Sequence, residues 1–196
     1  MKKVILLIVV GVAMAALSGC GPETEVPVRD SNNKFVTLET SKGNMTVELY
    51  RDVAPAHADS FLARTNDGFY NNTKFHRIIR GFMMQGGDPT GTGMGDAGYR
   101  LDAEFSDLNH VKGTLSMARG GHDVNSASCQ FFICFQETPH LDGQYTVFGQ
   151  VVNGLATLDS VQQVELGMTP RGEQSMPKED VMLLKAYESD AEGNPR

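Results

Sequence analysis

Residues 75–88 read FHRIIRGFMMQGGD, and this stretch decides how the rest of the chain is interpreted. Side chains on a β-strand alternate between the two faces of the sheet, so Arg77 is predicted to share a face with Phe75 and Ile79. This arrangement places a cation on an apolar surface. If the pleat continues through the following glycine, the same face also takes in Gly81, Met83 and Gln85.

A second stretch, residues 130–133, repeats this mixture of polar and apolar side chains. The sequence is QFFI, and alternation puts Gln130 and Phe132 on one side of a strand. Taken singly, the apolar residues of both stretches fit ordinary core packing, and Arg77 fits a surface side chain with a buried stem. A shared site and a plain core both remain open at this point.

The surrounding pattern predicts a mainly β domain with two helices. Short apolar or alternating runs predict strands at residues 35–40, 45–50, 74–79, 113–118, 130–135, 146–151 and 181–187. Pro55 opens a helical stretch that ends near Gly68, and residues 155–161 fit a second helix. Many short strands with two helices favour a closed or nearly closed antiparallel barrel.

Composition and charge narrow the class of protein. The 196 residues are 40% hydrophobic and 21% charged, as in an ordinary globular domain. The formal net charge is −7, and it becomes −9 without Lys2 and Lys3. An acidic surface repels phosphate backbones, so no nucleic-acid partner is expected.

The first nineteen residues have the features of an export signal. Lys2 and Lys3 precede an apolar run at residues 4–16. That run is shorter than the ~20 residues that span a bilayer, but it suits the core of a signal peptide. The alternative is a buried N-terminal helix, which small residues and a cysteine directly after the run make less attractive.

Residues 17–20, LSGC, resemble the lipobox of bacterial lipoproteins, in which the chain is cut before the cysteine and the thiol carries lipid. Several acyl chains on Cys20 would hold a membrane firmly, whereas one chain binds only marginally. The polar stretch that follows is predicted to be a flexible tether. Gly21, in place of Asp, favours the outer membrane, facing the periplasm, where the cell has one.

The other two cysteines, Cys129 and Cys134, are predicted to be buried thiols. Five residues of strand span ~17 Å, well beyond disulfide reach, and an odd separation points the two side chains to opposite faces. A catalytic thiol is the less favoured alternative.

Two further patterns carry no site. Residues 93–98, GMGDAG, fit GxGxxG but lack the preceding strand and following helix of a dinucleotide site, so they are predicted to form a glycine loop. The five histidines lack the spacing of a metal site. We therefore expect neither a metal nor a cofactor.

Three segments in order, FHRIIRGFMMQGGDPTGTG, GTLSMARGGHDVNSASCQFFI and LDGQYTVFGQV, closely resemble the cyclophilin family. The resemblance covers roughly residues 35–187. It implies an eight-stranded antiparallel barrel capped by two helices, and a cofactor-independent peptidyl-prolyl cis–trans isomerase that acts on proline-containing polypeptides. A monomer is expected.

The resemblance also implies the roles of individual residues. Arg77 is the expected catalytic group, and Gln85 is expected to contact the substrate backbone, with Gln130 beside the groove. The backbone at Ala118 and Arg119 is expected to line the cleft for residues before the proline. The expected pocket for the proline ring is apolar and consists of Phe82, Met83, Phe132 and Leu141. Tyr145 stands where many family members have histidine.

Three positions depart from the family pattern. Arg80 replaces a common proline, Arg119 replaces a common asparagine, and His140 replaces the tryptophan of vertebrate members. The last change bears on inhibitor binding more than on catalysis. Two rival functions stay open: a tethered binding module with little turnover, and a structural envelope lipoprotein.

The predicted organisation has four parts: a lipoprotein signal peptide at 1–19, a lipidated Cys20 with a tether at 20–33, the isomerase domain at 34–188, and a polar C-terminal tail at 189–196. The expected location is the bacterial cell envelope, and the expected partners are its membrane, through Cys20, and exported polypeptides that contain proline.

Overall fold

The computed structural model describes residues 33–196. The predictions for the signal peptide, for Cys20 and for nearly all of the tether fall outside the described residues.

Eleven strands and two helices make up this part of the chain. The helices are α1 (Pro55–Asn66) and α2 (Leu155–Gln162). The strands are β1 (Lys34–Thr40), β2 (Gly43–Leu49), β3 (Thr73–Lys74), β4 (Arg77–Ile79), β5 (Met83–Gly86), β6 (Thr114–Met117), β7 (Phe131–Cys134), β8 (Val147–Asn153), β9 (Leu166–Met168), β10 (Gln174–Pro177) and β11 (Met182–Ser189). The main elements lie where the alternation and capping signals predicted them.

Nine strands form one sheet in the order β3-β11-β1-β2-β8-β6-β7-β5-β4, and β9 pairs with β10 in a separate hairpin. All the pairings are antiparallel. The two outermost strands, β3 and β4, are separated by only two residues of chain. The sheet is therefore strongly curled, because its two edge strands are joined by a two-residue link.

The prediction of an eight-stranded barrel needs correction in its strand count and its closure. Residues 74–79, predicted as one strand, divide at Phe75 and His76 into β3 and β4. One half pairs with β11 and the other with β5, so the stretch forms both edges of the sheet and no ladder closes the gap between them. Strand β5 and the hairpin of β9 and β10 were not among the predicted strands.

The same break corrects the predicted face of Phe75. Phe75 packs in the main core together with Ile78, whereas Ile79 packs in a smaller apolar cluster on the side of Arg77. Two non-strand residues between β3 and β4 interrupt the alternation on which the prediction relied. Phe75 and Arg77 therefore lie on different sides.

Helix α1 covers one end of the main core. Pro55 occupies its first turn, and the buried residues on its inner face are His57, Ala58, Phe61 and Thr65. Phe61 packs against an aromatic cluster, with ring centroids 4.9 Å from Tyr70, 5.2 Å from Phe131 and 5.4 Å from Phe148. These large rings therefore fill the centre of the main core.

The two thiols behave as predicted. Cys129 and Cys134 are both free and buried, one in the main core and one in the smaller cluster. Burial raises the pKa of each thiol to about 11. A thiol in this state is a poor nucleophile, which leaves these cysteines a packing role.

The end of the described chain folds back on the sheet. Pro195 bridges Ser189, and the Arg196 amide donates a hydrogen bond to Glu188 at 3.0 Å. Between residues 33 and 196, no helix is both long and apolar enough to cross a bilayer.

Candidate active site

The register of three strands brings the key side chains into one row. Arg77 on β4 pairs with Gln85 on β5, and Gln85 pairs with Phe132 on β7. Directly paired residues in an antiparallel sheet point to the same face. Arg77, Met83 and Gln85 therefore share a face, as predicted. The pleat does not continue through Gly81, however, because a tight turn there (φ 65°) reverses the chain and sets β5 beside β4.

These residues line a surface cavity of about 370 Å³. Its floor comes from the sheet, and its walls come from the turn after β4, the loop after β6 and a short 3₁₀ helix at Pro139–Leu141. The lining residues are Arg77, Phe82, Met83, Gln85, Ala118, Arg119, Phe132, His140, Leu141 and Tyr145. Nine of the ten residues predicted for the site are in this set.

The apolar part of the cavity has its own small core. Met83, Phe132 and Leu141 are almost fully buried, and Phe82 and Tyr145 pack against them. The Tyr145 ring meets the Phe132 ring edge to face at 5.6 Å. An apolar recess with one open side suits a compact aliphatic ring.

Gln130, the tenth predicted residue, supports the site from behind. The Gln85 side-chain amide donates to the Gln130 carbonyl oxygen at 2.9 Å, and the Gln130 amide donates to the carbonyls of Gly93 and Gly95 at 3.2 and 2.8 Å. Gln130 lines a neighbouring cavity of about 340 Å³ with Ala118 and Arg119. Gln130 thus ties the orientation of Gln85 to the glycine loop.

That glycine loop is organised around one carboxylate. Asp88 is buried and accepts hydrogen bonds from the amides of Thr90, Gly93 and Gly95 at 2.7, 2.6 and 3.2 Å. Burial alone would raise the pKa of Asp88, but the bonds from Thr90, Gly95 and Gly93 outweigh it and lower the pKa to about 2. Residues 93–98 form the predicted glycine loop, with positive φ at Gly93 and Gly98, and the bonds to Asp88 that hold it were not predicted.

The loop after β6 forms the opposite wall. The Ala118 amide donates to the Gln130 backbone carbonyl at 2.9 Å. Arg119 lies over the Tyr145 ring at 4.6 Å and donates to the Gln144 carbonyl at 3.1 Å. Its guanidinium thus braces the rim of the cavity, an arrangement that an asparagine is too short to make.

A buried histidine supports Phe132. The His110 ring stacks on the Phe132 ring, with centroids 6.0 Å apart and planes 11° apart. Its two ring nitrogens bond to Asp142 at 2.8 Å and to the Ser116 hydroxyl at 3.0 Å. Burial lowers the pKa of His110 against the opposing hydrogen bond of Asp142, so the ring is neutral at pH 7.

Sequence reasoning missed Glu173. Its carboxylate accepts two hydrogen bonds from Arg77, from Nε at 2.8 Å and from Nη2 at 2.7 Å. These bonds from Arg77, together with one from Ser175, lower the pKa of Glu173 to about 2. Glu173 lies 96 positions from Arg77 in a polar turn, TPRGEQS, and nothing in that turn signals a contact with β4.

No group of three or more metal-ligating side chains occurs within residues 33–196. What the cavity offers is a guanidinium, amide groups and an apolar recess. Such a set can hold and polarise a peptide segment by hydrogen bonding.

Comparison with known proteins agrees with this geometry. Residues 35–188 match the family model of the cyclophilin type peptidyl-prolyl cis-trans isomerase/CLD. A peptidyl-prolyl cis-trans isomerase of Helicobacter pylori is 42% identical over 136 residues, covering 67% of this chain and 82% of that protein. The mouse peptidyl-prolyl cis-trans isomerase-like 1 is 43% identical over 160 residues, covering 79% and 92%.

Solved structures give the same result. A cyclophilin type isomerase of Cryptosporidium parvum superposes with a TM-score of 0.74 at 32% identity, covering 81% of this chain and 98% of that one. A second structure of the C. parvum protein, in the presence of the dipeptide Ala-Pro, gives a TM-score of 0.71 at 33% identity, with 78% and 96% covered. Sequence and fold thus agree, and the chain belongs to the cyclophilin family of peptidyl-prolyl cis–trans isomerases.

Proposed function

We propose that this isomerase acts on X–Pro bonds of exported proteins in the bacterial cell envelope, with Arg77 as its catalytic group and a lipid on Cys20 as its anchor. The observation that carries the catalytic part is the single row of Arg77, Gln85 and Phe132 beside an apolar recess. The anchor rests on the sequence of residues 1–20.

The reaction requires no bond to break. Peptide C–N rotation is opposed by a barrier of ~18–20 kcal/mol because the nitrogen lone pair is delocalised. In the twisted state that lone pair is localised on the proline nitrogen, where it can accept a hydrogen bond. A donor aimed at that nitrogen stabilises the twisted state more than either planar isomer, and this difference is what accelerates rotation.

Arg77 has the properties of such a donor. A guanidinium remains charged and presents directed N–H groups. The side chain of Arg77 is 35% exposed, so it can reach a bound peptide. The apolar recess beside Arg77 would strengthen a hydrogen bond to a bound substrate, because the substrate would exclude water there.

One hydrogen bond is not the whole of catalysis. A 10⁵-fold acceleration corresponds to about 7 kcal/mol of barrier lowering, whereas one charge-assisted bond contributes ~1.5–3 kcal/mol. The remainder comes from the recess of Phe82, Met83, Phe132 and Leu141, which fixes the proline ring and removes water.

Gln85 would hold the substrate backbone, and Ala118 and Arg119 would flank the residues before the proline. Tyr145 packs on the wall of the recess. A related C. parvum isomerase has been solved in the presence of the dipeptide Ala-Pro, which supports proline-containing peptides as the substrate class.

The envelope location rests on the order of features at the start of the chain. A basic pair, a short apolar run and LSGC occur in the sequence expected of an exported lipoprotein. We place the domain outside the cytoplasm, on the periplasmic face of the outer membrane where one exists, with newly exported proteins as substrates. The chain acts as a monomer in this proposal.

The rival proposal is a tethered binding module with little turnover. Arg77, Phe82, Gln85 and Phe132 are all retained around one open cavity, which argues for turnover. A structural lipoprotein would have no affinity for short X–Pro peptides, so peptide binding separates that alternative.

The test is an isomerisation assay on an X–Pro peptide with residues 21–196. We expect Arg77→Ala to lower kcat/KM by roughly 10²-fold, equivalent to ~2.7 kcal/mol. Peptide affinity should change much less because the recess remains. Arg77→Lys should recover only part of the loss, since an ammonium lacks the planar fork.

Arg80→Ala is the matched control. Arg80 is a neighbouring arginine whose guanidinium donates to the carbonyls of Gln162 and Val164, away from the cavity lining. Its removal should leave kcat/KM near the wild-type value. Full activity in Arg77→Ala would show that the chemistry lies elsewhere, and exchange NMR on a bound peptide would separate turnover from binding.

A further inference from the structure

The clearest feature beyond the proline pocket is the ion pair between Arg77 and Glu173. The carboxylate meets the Nε edge of the guanidinium with two bonds of 2.8 and 2.7 Å. Two parallel bonds of this kind fix both the position and the plane of a guanidinium. A single contact would leave Arg77 free to swing.

Glu173 is itself held in place. Its carboxylate accepts a further bond from the Ser175 hydroxyl at 2.6 Å. Its backbone closes a tight turn, in which the Thr169 amide donates to the Glu173 carbonyl at 2.8 Å and the Glu173 amide donates to the Thr169 hydroxyl at 3.1 Å. The carboxylate therefore presents a fixed surface to Arg77.

The position of the pair relative to the cavities indicates what it does. Arg77 lines both the 370 Å³ cavity and a larger one of about 840 Å³ on the side of β9 and β10. Glu173 and Ser175 line only the larger cavity. The carboxylate thus binds the guanidinium from the side away from the proline recess, without occupying it.

The donor count is consistent with this arrangement. A guanidinium has five N–H donors. Glu173 takes one from Nε and one from Nη2, and leaves both donors of Nη1 and the second donor of Nη2 for a substrate. A carboxylate that blocked the reaction would instead stand in the recess and compete for the same donors.

We propose that Glu173 is a positioning residue for the isomerase reaction, which holds the Arg77 guanidinium in the orientation that meets the proline nitrogen, with Ser175 supporting Glu173. This inference rests on the proposed catalytic role of Arg77. The effect is on orientation, so Glu173 should influence the turnover step and leave the binding of the planar substrate largely unchanged.

The experiment measures kcat and KM separately for the chain from residue 21, in the wild type, Glu173→Ala, Glu173→Gln and Ser175→Ala. We expect Glu173→Ala to lower kcat by roughly tenfold, with KM within about twofold. Glu173→Gln should lower kcat by a comparable factor, because the glutamine NH₂ group is a donor and cannot accept a hydrogen bond from Arg77. Ser175→Ala should lose less, since the two bonds to Arg77 remain.

Lys178→Ala provides the matched control on the same hairpin. Lys178 pairs with Glu165 at 2.9 Å in an exposed contact that does not touch Arg77. Its removal should leave kcat unchanged, which excludes a general effect of weakening β9 and β10. Thermal melting of each variant establishes that the fold is retained.

A double-mutant cycle with Arg77→Lys separates this inference from the proposed role of Arg77. If Glu173 acts through Arg77, Glu173→Ala should lower kcat little further once Arg77 is changed. The positioning role would be overturned if Glu173→Ala left kcat unchanged or increased it, or if it lowered kcat equally in both backgrounds. In each of these cases, a loss of activity in Arg77→Ala would still support the catalytic role of Arg77. Full activity in Arg77→Ala would overturn both.

Discussion

The His140 ring faces the Phe82 ring across the mouth of the recess, with centroids 5.4 Å apart and planes 33° apart. His140 belongs to the 3₁₀ helix at Pro139–Leu141 and is exposed, whereas the neighbouring Leu141 is buried in the cavity wall. The imidazole therefore forms the outer rim of the recess, where a large ligand would lie.

This position governs the first prediction, which concerns inhibition. Cyclosporin is a ligand of the family, and the tryptophan that vertebrate members carry here supplies much of its contact. An imidazole offers less apolar area than an indole and resists burial more. We expect markedly weaker inhibition than in tryptophan-bearing relatives, and partial recovery in His140→Trp, measured as inhibition of isomerisation. Wild-type inhibition as strong as in those relatives would contradict this account.

The second prediction concerns the pH dependence of the rate. No proton is transferred in the proposed reaction, and the guanidinium stays charged. Burial lowers the pKa values of His76 and His110, so these two rings near the site do not gain charge at neutral pH. We expect kcat/KM to stay nearly flat between pH 6 and 8. A clear step of histidine type in the wild-type profile would show that a proton transfer had been overlooked.

The third prediction concerns Asp88 and acid stability. In Asp88→Asn, the amide nitrogen would face donors that now bond to one carboxylate oxygen, and we expect a loss of about 3 kcal/mol in the free energy of unfolding at pH 7. Asp96→Asn is the control, because Asp96 is exposed on the same loop and accepts a local bond from Gly98.

The sign of the pH effect follows from the lowered pKa. The Asp88 pKa is about 2 in the folded state, against ~3.9 in an unfolded chain. Its stabilisation is therefore complete above pH ~4 and is lost as the pH falls toward 2. Urea unfolding should show that the free energy of unfolding falls less between pH 4 and pH 2.5 in Asp88→Asn than in the wild type. Equal falls would show that the Asp88 carboxylate does not cause the acid sensitivity.

The fourth prediction tests the anchor. Cys20→Ser should remove acylation and partitioning as a lipoprotein, which labelling with radioactive fatty acid would detect. Isomerase activity should remain, because a polar stretch separates Cys20 from β1. Equal label in the variant and the wild type would rule out Cys20 as the lipid site.

Local chemistry made much of the fold predictable. Pro55 and the apolar face of Ala58 and Phe61 specified α1, because helix capping and a 3.6-residue period are local properties. Alternation did the same for β1 and β2. Alternation gave the wrong face for Phe75. Residues 74–79 divide there between β11 and β5, and β11 lies far away in the sequence, so no local pattern indicates the break.

By itself, the sequence determined the family, the mainly β architecture and most of the residues that line the 370 Å³ cavity, because its motifs place those residue types at fixed spacing. The tertiary structure decided how those residues meet: the turn at Gly81 that sets Arg77 beside Gln85, and the hairpin that delivers Glu173 to Arg77 across 96 positions. A contact between distant segments depends on the relative placement of whole strands, and neither local spacing nor composition carries that information.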